Sequence, residues 1–277
     1  MFRALIILCL IWGFNFVVMK TANEFFTPEI FVAYRFSLGA AVLLAVAFIT
    51  KLPLPPKKFW GWIALTGVLQ IAIGASIVQY CFQFLDAGLV SVLNYTMPMW
   101  VTILAAFFLN EKLTKKKIFG VALGIIGIGV LMNVEISGNF SAMLIALSAA
   151  IFWALGNILM KAKLAQCNPI ALTTWQMVVG AILLVIYAAT FGEVRADWTP
   201  TAIACLLYNG ILASAFAFFL WVYILRNMEA SKASISVLGV PVVGVLGGVI
   251  CLGEPLTLSM LIGMLMVLSG IFLVQHS

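Results

Sequence analysis

The sequence predicts an all-helical integral membrane protein with ten transmembrane helices, arranged as two five-helix repeats of inverted topology. Hydrophobic residues make up 65% of the 277 residues and charged residues only 9%, whereas roughly a quarter of the residues in soluble domains are charged. The apolar residues form runs of about 18 to 22, the length that a helix needs to cross the hydrocarbon core. A soluble globule and a membrane β-barrel are therefore excluded, because barrel strands are shorter and alternate in polarity.

Polar breaks with turn chemistry separate the apolar runs and fix the order of the helices. The clearest breaks are the proline-rich segment 51–58, the Asn168-Pro169 pair and the segment 198–200; only Asp86-Ala87-Gly88 separates the third span from the fourth. We expect the ten spans at residues 4–20, 29–49, 60–82, 89–109, 116–133, 142–162, 170–190, 201–224, 233–251 and 257–275.

The second half of the chain repeats the first, which predicts an internal duplication. A shift of 141 positions places Trp12 on Trp153, Lys20 on Lys161 and Pro28 on Pro169, and a shift of 143 places Asp86 on Glu229, Pro98 on Pro241 and Glu111 on Glu254. We expect a first repeat at residues 1–137 with helices 1–5, and a second at 138–277 with helices 6–10.

The positive charges predict the orientation of the chain. Twelve Lys and Arg residues fall in the breaks on one side of the membrane, and only Lys20 and Arg195 fall on the other. Cytoplasmic loops carry the excess of positive charge, so both termini are expected in the cytoplasm. Because each repeat has an odd number of spans, the second repeat is inverted relative to the first. Inverted repeats are typical of secondary transporters, whose substrate site lies near the midplane between the halves.

Several function classes are disfavoured by composition. The net charge of +6 comes from short loops between apolar runs, so a nucleic-acid surface is not expected. The five cysteines are scattered without a C-x-x-C pair, and we expect neither a disulfide framework nor a metal site. Motifs of intramembrane hydrolases are missing from the sequence. The protein is therefore expected to be no enzyme and to need no cofactor; its partners are the lipid bilayer and a small-molecule substrate.

Motifs in both halves resemble those of one transporter family. The first span contains Trp12-Gly13-x-Asn15-Phe16-x-x-x-Lys20 and the second Tyr34-Arg35-Phe36; short acidic turns followed by Leu-Thr end the fourth and ninth spans at residues 110–114 and 253–257. In order and spacing, the chain resembles the EamA-type branch of the drug/metabolite transporter superfamily. The resemblance implies a permease or exporter of amino acids or related metabolites in the bacterial inner membrane. A multidrug or nucleotide/sugar-type permease and a non-transporting scaffold are the alternatives.

The distribution of charge narrows the expected substrate. All nine carboxylates lie in loops or at helix ends, and His276 lies in the C-terminal tail. A buried cation or proton relay normally requires a carboxylate or other titratable partner inside the membrane. We therefore expect a neutral or zwitterionic substrate. Arg35 is the one charge inside a span, about 10 Å from its outer end. It either extends its guanidinium to the interface or binds a substrate carboxylate.

Polar and aromatic residues near mid-span are the candidates for a substrate pocket. Trp12 and Trp153 occupy equivalent central positions, away from the interface that tryptophan normally prefers, and Pro98 is expected to kink the fourth helix and free a carbonyl. Each candidate could instead serve helix packing or hydrogen bonding within the bundle. The predicted substrate-binding residues are Trp12, Asn15, Arg35, Tyr80, Asn94, Tyr95, Trp100, Trp153, Asn157, Trp175, Tyr208 and Trp221.

The fifth and tenth helices are predicted to stay outside the pocket. Gly120, Gly124 and Gly127 lie at spacings of four and three residues, and Gly263 and Gly270 mirror them in the tenth helix. Such small residues allow close helix packing. The protein is expected to be a monomer, or a homodimer that forms through helix 5 or helix 10.

Overall fold

The computed structural model confirms the all-helical membrane fold and describes most of the chain. The described residues are 2–133, 139–191, 195–230, 233, 237 and 239–275. The expected repeat boundary at 137/138 lies outside the described residues, and so do two of the loop carboxylates, Glu135 and Glu193, one of the twelve cations on the cytoplasmic side, Lys232, and His276.

Ten helical segments occur in the described part of the chain, and seven of them are long and apolar enough to cross a membrane by length and composition. The described start of the ninth segment is Gly239, later than the predicted 233, because most of residues 231–238 are outside the description. The segments are α1 Phe2–Ala22, α2 Pro28–Ile49, α3 Lys57–Cys81, α4 Ala87–Phe108, α5 Lys115–Asn133, α6 Phe140–Lys163, α7 Pro169–Phe191, α8 Pro200–Asn227, α9 Gly239–Leu252 and α10 Leu258–Gln275.

Local sequence signals begin several of these helices. Pro28, Pro169 and Pro200 are the first residues of α2, α7 and α8, where proline has no helical partner to lose. Thr199 Oγ1 accepts a hydrogen bond of 3.1 Å from a backbone N–H in the first turn of α8. Asn168 Oδ1 accepts one of 2.9 Å in the first turn of α7. These caps satisfy N–H groups that a helix end leaves unpaired.

The third and eighth helices both contain a π-helical segment, with wider turns than an α-helix, that the sequence pattern did not predict. Residues Gly67–Ala75 of α3 and Tyr208–Phe216 of α8 form π-helices. Both segments are nine residues long, and the 141-residue shift of the repeat places one directly on the other. Helices of the π type are rare and concentrate at functional sites. The duplication therefore preserves a backbone irregularity as well as residue types.

The fourth helix is interrupted near its middle. Its first part ends at Asn94 and its second begins at Met97, with Pro98 in the first turn. Thr96 Oγ1 caps the break by donating a 2.7 Å hydrogen bond to the carbonyl of Leu93. In the second repeat, Pro241 lies in the first described turn of α9. The interruption takes Tyr95 out of regular helix geometry, directly after Asn94.

The fifth and tenth helices pack against each other through their glycine faces. A Cβ atom added to Gly270 would lie 2.4 Å from the carbonyl oxygen of Gly120, and one added to Gly127 would lie 3.0 Å from that of Gly263. The two backbones are therefore in direct contact within one chain. Each helix thus covers the glycine face of the other within one chain, and the oligomeric state of the protein stays a prediction.

The remaining eight helices surround the centre of the molecule. We call the end of the bundle that carries Ala22, Cys81 and Ala87 the outer end, following the predicted topology, and the opposite end the inner end. At the outer end, Arg195 Nη2 donates to the carbonyl of Asn23 at 2.6 Å. Helix ends predicted to lie on one membrane face thus contact each other.

Candidate functional site

A central cavity lies between the two repeats, in the outer half of the bundle. Its empty volume, counted together with the open space at its mouth, is about 630 Å³. Most of the lining is apolar or aromatic. The lining residues are Trp12, Asn15, Phe16 and Met19 of α1, Arg35 and Phe36 of α2, Ala75 and Val78 of α3, Asn94, Tyr95 and Met97 of α4, Trp153 of α6, and Ala213, Ser214 and Phe218 of α8.

Three aromatic rings, those of Trp12, Trp153 and Phe218, form the floor of the cavity near the middle of the bundle, and the ring of Trp221 packs against them. The ring of Trp12 lies 5.7 Å from that of Trp153, 5.8 Å from that of Phe218 and 5.9 Å from that of Trp221. Most of these contacts are edge-to-face, which aromatic pairs prefer. The indole Nε1 of Trp12 donates a 3.0 Å hydrogen bond to the carbonyl of Ala213, in the π segment of α8. The π segment thus fixes the orientation of the central tryptophan.

A buried amide network supports this floor from below. Asn157 is fully buried, and its Oδ1 accepts hydrogen bonds of 2.9 Å from Gln70 Nε2 and 3.0 Å from Trp221 Nε1. Asn157 and Trp221 do not line the cavity described here. That they bind substrate stays a prediction; in this structure the ring of Trp221 packs against Trp12, and Asn157 accepts the hydrogen bond of the Trp221 indole.

Arg35 is the charged group among the lining residues. It is 4% exposed, so its guanidinium does not reach the interface. Nη1 donates a 2.8 Å hydrogen bond to Asn209 Oδ1, and the guanidinium lies 4.5 Å from the centre of the Phe36 ring. Nε has no hydrogen-bond partner in the described part of the chain. A buried cation with an unused donor is costly unless a ligand completes it.

Two amide oxygens in the cavity are also unpaired. Asn15 Oδ1 and Asn94 Oδ1 are buried without a hydrogen-bond partner among the described residues. The amide nitrogen of Asn15 is directed to the sulfur of Met19, 2.9 Å away. The cavity therefore offers a cationic donor and two neutral acceptors within an aromatic lining.

Two predicted pocket residues lie on the outside of the bundle or near its inner end. Tyr80 is 42% exposed and its ring lies 5.2 Å from that of Phe84. Trp175 pairs with Trp60 across α3 and α7, with ring centres 4.9 Å apart. Neither lines the central cavity, because the rotation of each helix directs the side chain elsewhere.

Two further predicted residues use their polar atoms in hydrogen bonds within the helix bundle. Trp100 Nε1 donates to Thr96 Oγ1 at 3.2 Å, beside the break in α4. The hydroxyl of Tyr208 donates to the carbonyl of Ile11 at 2.8 Å. Both side chains lie outside the cavity lining. The predicted contributions of the seventh and ninth helices are likewise not seen among the described lining residues.

The sequence analysis missed several apolar lining residues. Phe16 and Met19 lie four and seven residues after Trp12, so helical periodicity places all three on one face of α1. That periodicity could have identified them. Phe36, Met97 and Phe218 carry no comparable signal, since apolar side chains occur on every face of a membrane helix.

Ten helices among the described residues, in two related halves around a central aromatic cavity, define an integral membrane protein with the architecture of a secondary transporter. The chain belongs to the EamA-like transporter family, whose family model matches it twice, over residues 3–133 and 140–275. The resemblance seen in the sequence motifs is thereby confirmed.

Individual relatives agree with this assignment. The chain is 32% identical to the uncharacterized transporter YoaV of Bacillus subtilis, over 95% of this chain and 92% of that protein. It is 30% identical to a probable amino-acid metabolite efflux pump of Salmonella typhimurium, over 98% of this chain and 93% of that protein. One solved protein structure overlays with a TM-score of 0.76 at 16% identity, covering 99% of this chain and 98% of that one. This last likeness shows a shared fold.

Proposed function

We propose that this protein is a permease that exports small neutral or zwitterionic metabolites, amino acids or related compounds, by alternating access. The observation that carries the proposal is the buried guanidinium of Arg35, with an unused Nε donor, inside an otherwise apolar cavity. A carboxylate is the natural partner of such a group, because arginine binds it through two parallel charged hydrogen bonds.

The remaining polar atoms suit the other end of an amino acid. The oxygens of Asn15 and Asn94 can accept hydrogen bonds from an ammonium group without placing a second full charge in the cavity. The rings of Phe16, Trp12 and Trp153 can then contact an apolar side chain. An amino acid supplies all three groups in one small molecule.

The same arrangement argues against the alternative substrates. A cationic drug would meet Arg35 and find no carboxylate among the described lining residues, so its charge would be left uncompensated. A nucleotide would bring two or more negative charges to a single guanidinium. A sugar would leave that guanidinium without an anion.

The direction and orientation are parts of the same proposal. The name of the Salmonella typhimurium relative describes efflux of amino-acid metabolites, which supports export. The distribution of Lys and Arg supports cytoplasmic termini in the bacterial inner membrane. Tags on both termini are expected to be accessible only from the cytoplasmic side of spheroplasts.

Counterflow in liposomes tests the proposal. Purified protein is reconstituted into vesicles loaded with unlabelled phenylalanine, and uptake of trace labelled phenylalanine is followed. A transporter produces a transient accumulation that other zwitterionic amino acids reduce and cationic amines or nucleotides do not. A scaffold produces none, so absence of counterflow for every amino acid would refute the proposed function.

A further inference from the structure

A charged cluster joins both repeats at the outer end of the bundle. Lys20 Nζ lies 2.8 Å from Asp86 Oδ1 and 2.9 Å from Glu254 Oε1. Glu254 is 8% exposed and also accepts hydrogen bonds from the backbone N–H groups of Ala87, at 2.7 Å, and Gly88, at 3.0 Å. One lysine thus connects the end of α1, the start of α4 and the segment after α9.

The duplication places the same residue types at the inner end. Lys161 is the repeat equivalent of the outer lysine, Glu229 that of the aspartate, and Glu111 that of the glutamate. All three lie at the inner end of the bundle: Lys161 near the end of α6, Glu111 after α4 and Glu229 after α8. The inner end therefore carries a second cluster of one lysine and two carboxylates, built from the corresponding elements α6, α9 and α4.

The two clusters differ in their contacts. The outer lysine is bonded to both of its carboxylates. Lys161 Nζ instead donates to backbone carbonyls at the end of α8, those of Leu225, at 3.1 Å, and Met228. Glu111 Oε2 lies 3.7 Å from Lys117 Nζ. The outer cluster is bridged directly through its lysine, whereas the inner lysine is held by main-chain oxygens.

This difference follows the position of the cavity. In a protein built from inverted repeats, the opposite conformation arises when each half adopts the arrangement that the other half now has. Here the cavity and the bridged cluster are both at the outer end. The exchange would move the cavity to the inner half and form the bridge at Lys161.

We infer that the two clusters are paired conformational switches, each bridged when the cavity faces its own end of the molecule. Lys20 and Lys161 are then positioning residues: they contact no substrate, and they set the ratio of the two conformations. The ion pairs bias this ratio because each exists in only one of the two states.

Reporter cysteines at repeat-equivalent positions can measure this ratio. Met19 lines the cavity in the outer half, and Met160 is its equivalent in the inner half; both side chains are 3% exposed in this structure. Met19→Cys and Met160→Cys proteins in liposomes are treated with a small thiol reagent. Mass spectrometry quantifies each site separately, so the native cysteines remain in place. The readout is the labelling rate at Met160→Cys divided by that at Met19→Cys.

Removing each lysine is expected to move the ratio in opposite directions. Lys20→Met raises it by about tenfold, between the small effect of an exposed ion pair and the much larger effect of a buried one. Lys161→Met lowers it. Lys20→Arg keeps the bridge and stays near the unmodified value. Lys163→Met, which removes an exposed lysine at the same end of α6, is the matched control and leaves the ratio unchanged.

The outcomes separate a switch from a permanent contact. If Lys20→Met is folded, as shown by its melting temperature, and the ratio stays within about twofold, the cluster is a static link and the inference is wrong. Movement in the same direction for Lys20→Met and Lys161→Met also overturns it. If Lys20→Met does not fold, Asp86→Asn removes one of the two carboxylates and is held to the same criterion. Labelling reports conformation, so these results are independent of counterflow.

Discussion

The substitution Arg35→Gln tests whether the guanidinium of Arg35 binds a substrate carboxylate. The change removes the guanidinium but keeps an amide that can still bond to Asn209. If a substrate carboxylate binds through two charged hydrogen bonds, their loss costs about 3 kcal/mol. At about 1.4 kcal/mol per tenfold, Kd for phenylalanine should rise by roughly 150-fold. A ligand without the carboxylate should bind the unmodified protein much more weakly than phenylalanine does, and should lose no further affinity in the variant.

Titration calorimetry with phenylalanine and phenylalaninamide separates these cases, because the two ligands differ only at the carboxyl group. Arg195→Gln is the charge-matched control: Arg195 is exposed, bonds to loop carbonyls and lies outside the cavity, so both affinities should stay unchanged. Equal weakening of both ligands by Arg35→Gln would show a general disturbance of the cavity. Unchanged phenylalanine binding would refute the role of the guanidinium.

Three further predictions concern the floor and the scaffold. Trp12→Ala and Trp153→Ala should each impair counterflow while the protein is still expressed, because each opens the aromatic floor; normal transport by both would mean the pocket is misplaced. Trp221→Phe should lower the free energy of unfolding by about 1 kcal/mol, since a buried amide oxygen loses one of its two donors, and an unchanged chemical denaturation midpoint would contradict that. Gly270→Leu should strongly lower the melting temperature, because its Cβ would lie 2.4 Å from a backbone carbonyl, whereas Gly129→Leu, with nothing within 4 Å, should be tolerated.

Predicted pocket residues near the middle of the bundle line the cavity, whereas several of the predicted residues farther from the middle do not. Trp12 and Trp153 were identifiable because the duplication places them at one depth from opposite sides of the membrane. Tyr80 and Trp175 have the same aromatic character, yet they lie away from the cavity. The type of a residue does not show whether its side chain lies on the face of the helix that is directed to the cavity. In a membrane helix that is apolar on all sides, hydrophobic periodicity does not identify that face either.

The π segments explain part of this failure. In a π-helix each backbone hydrogen bond joins residues i and i+5, so its turns are wider than those of an α-helix. Side chains after such a segment therefore lie on a different face of the helix. Tyr80 follows the π segment Gly67–Ala75, and a regular helix would have placed it on a different side. The residue types of that segment do not predict a π-helix, because its glycines and aliphatic residues also occur in regular α-helices.

The sequence by itself determined the number of helices, their order, the duplication and the inverted arrangement of the halves. These properties depend on local requirements: a helix must span the hydrocarbon and satisfy its own backbone groups. Only the tertiary structure decided that Arg35 is buried, that α5 and α10 cover each other, and that the cavity lies in the outer half. Those properties depend on contacts between segments far apart in the chain, which fix the rotation of each helix and the side-chain atoms left without a partner.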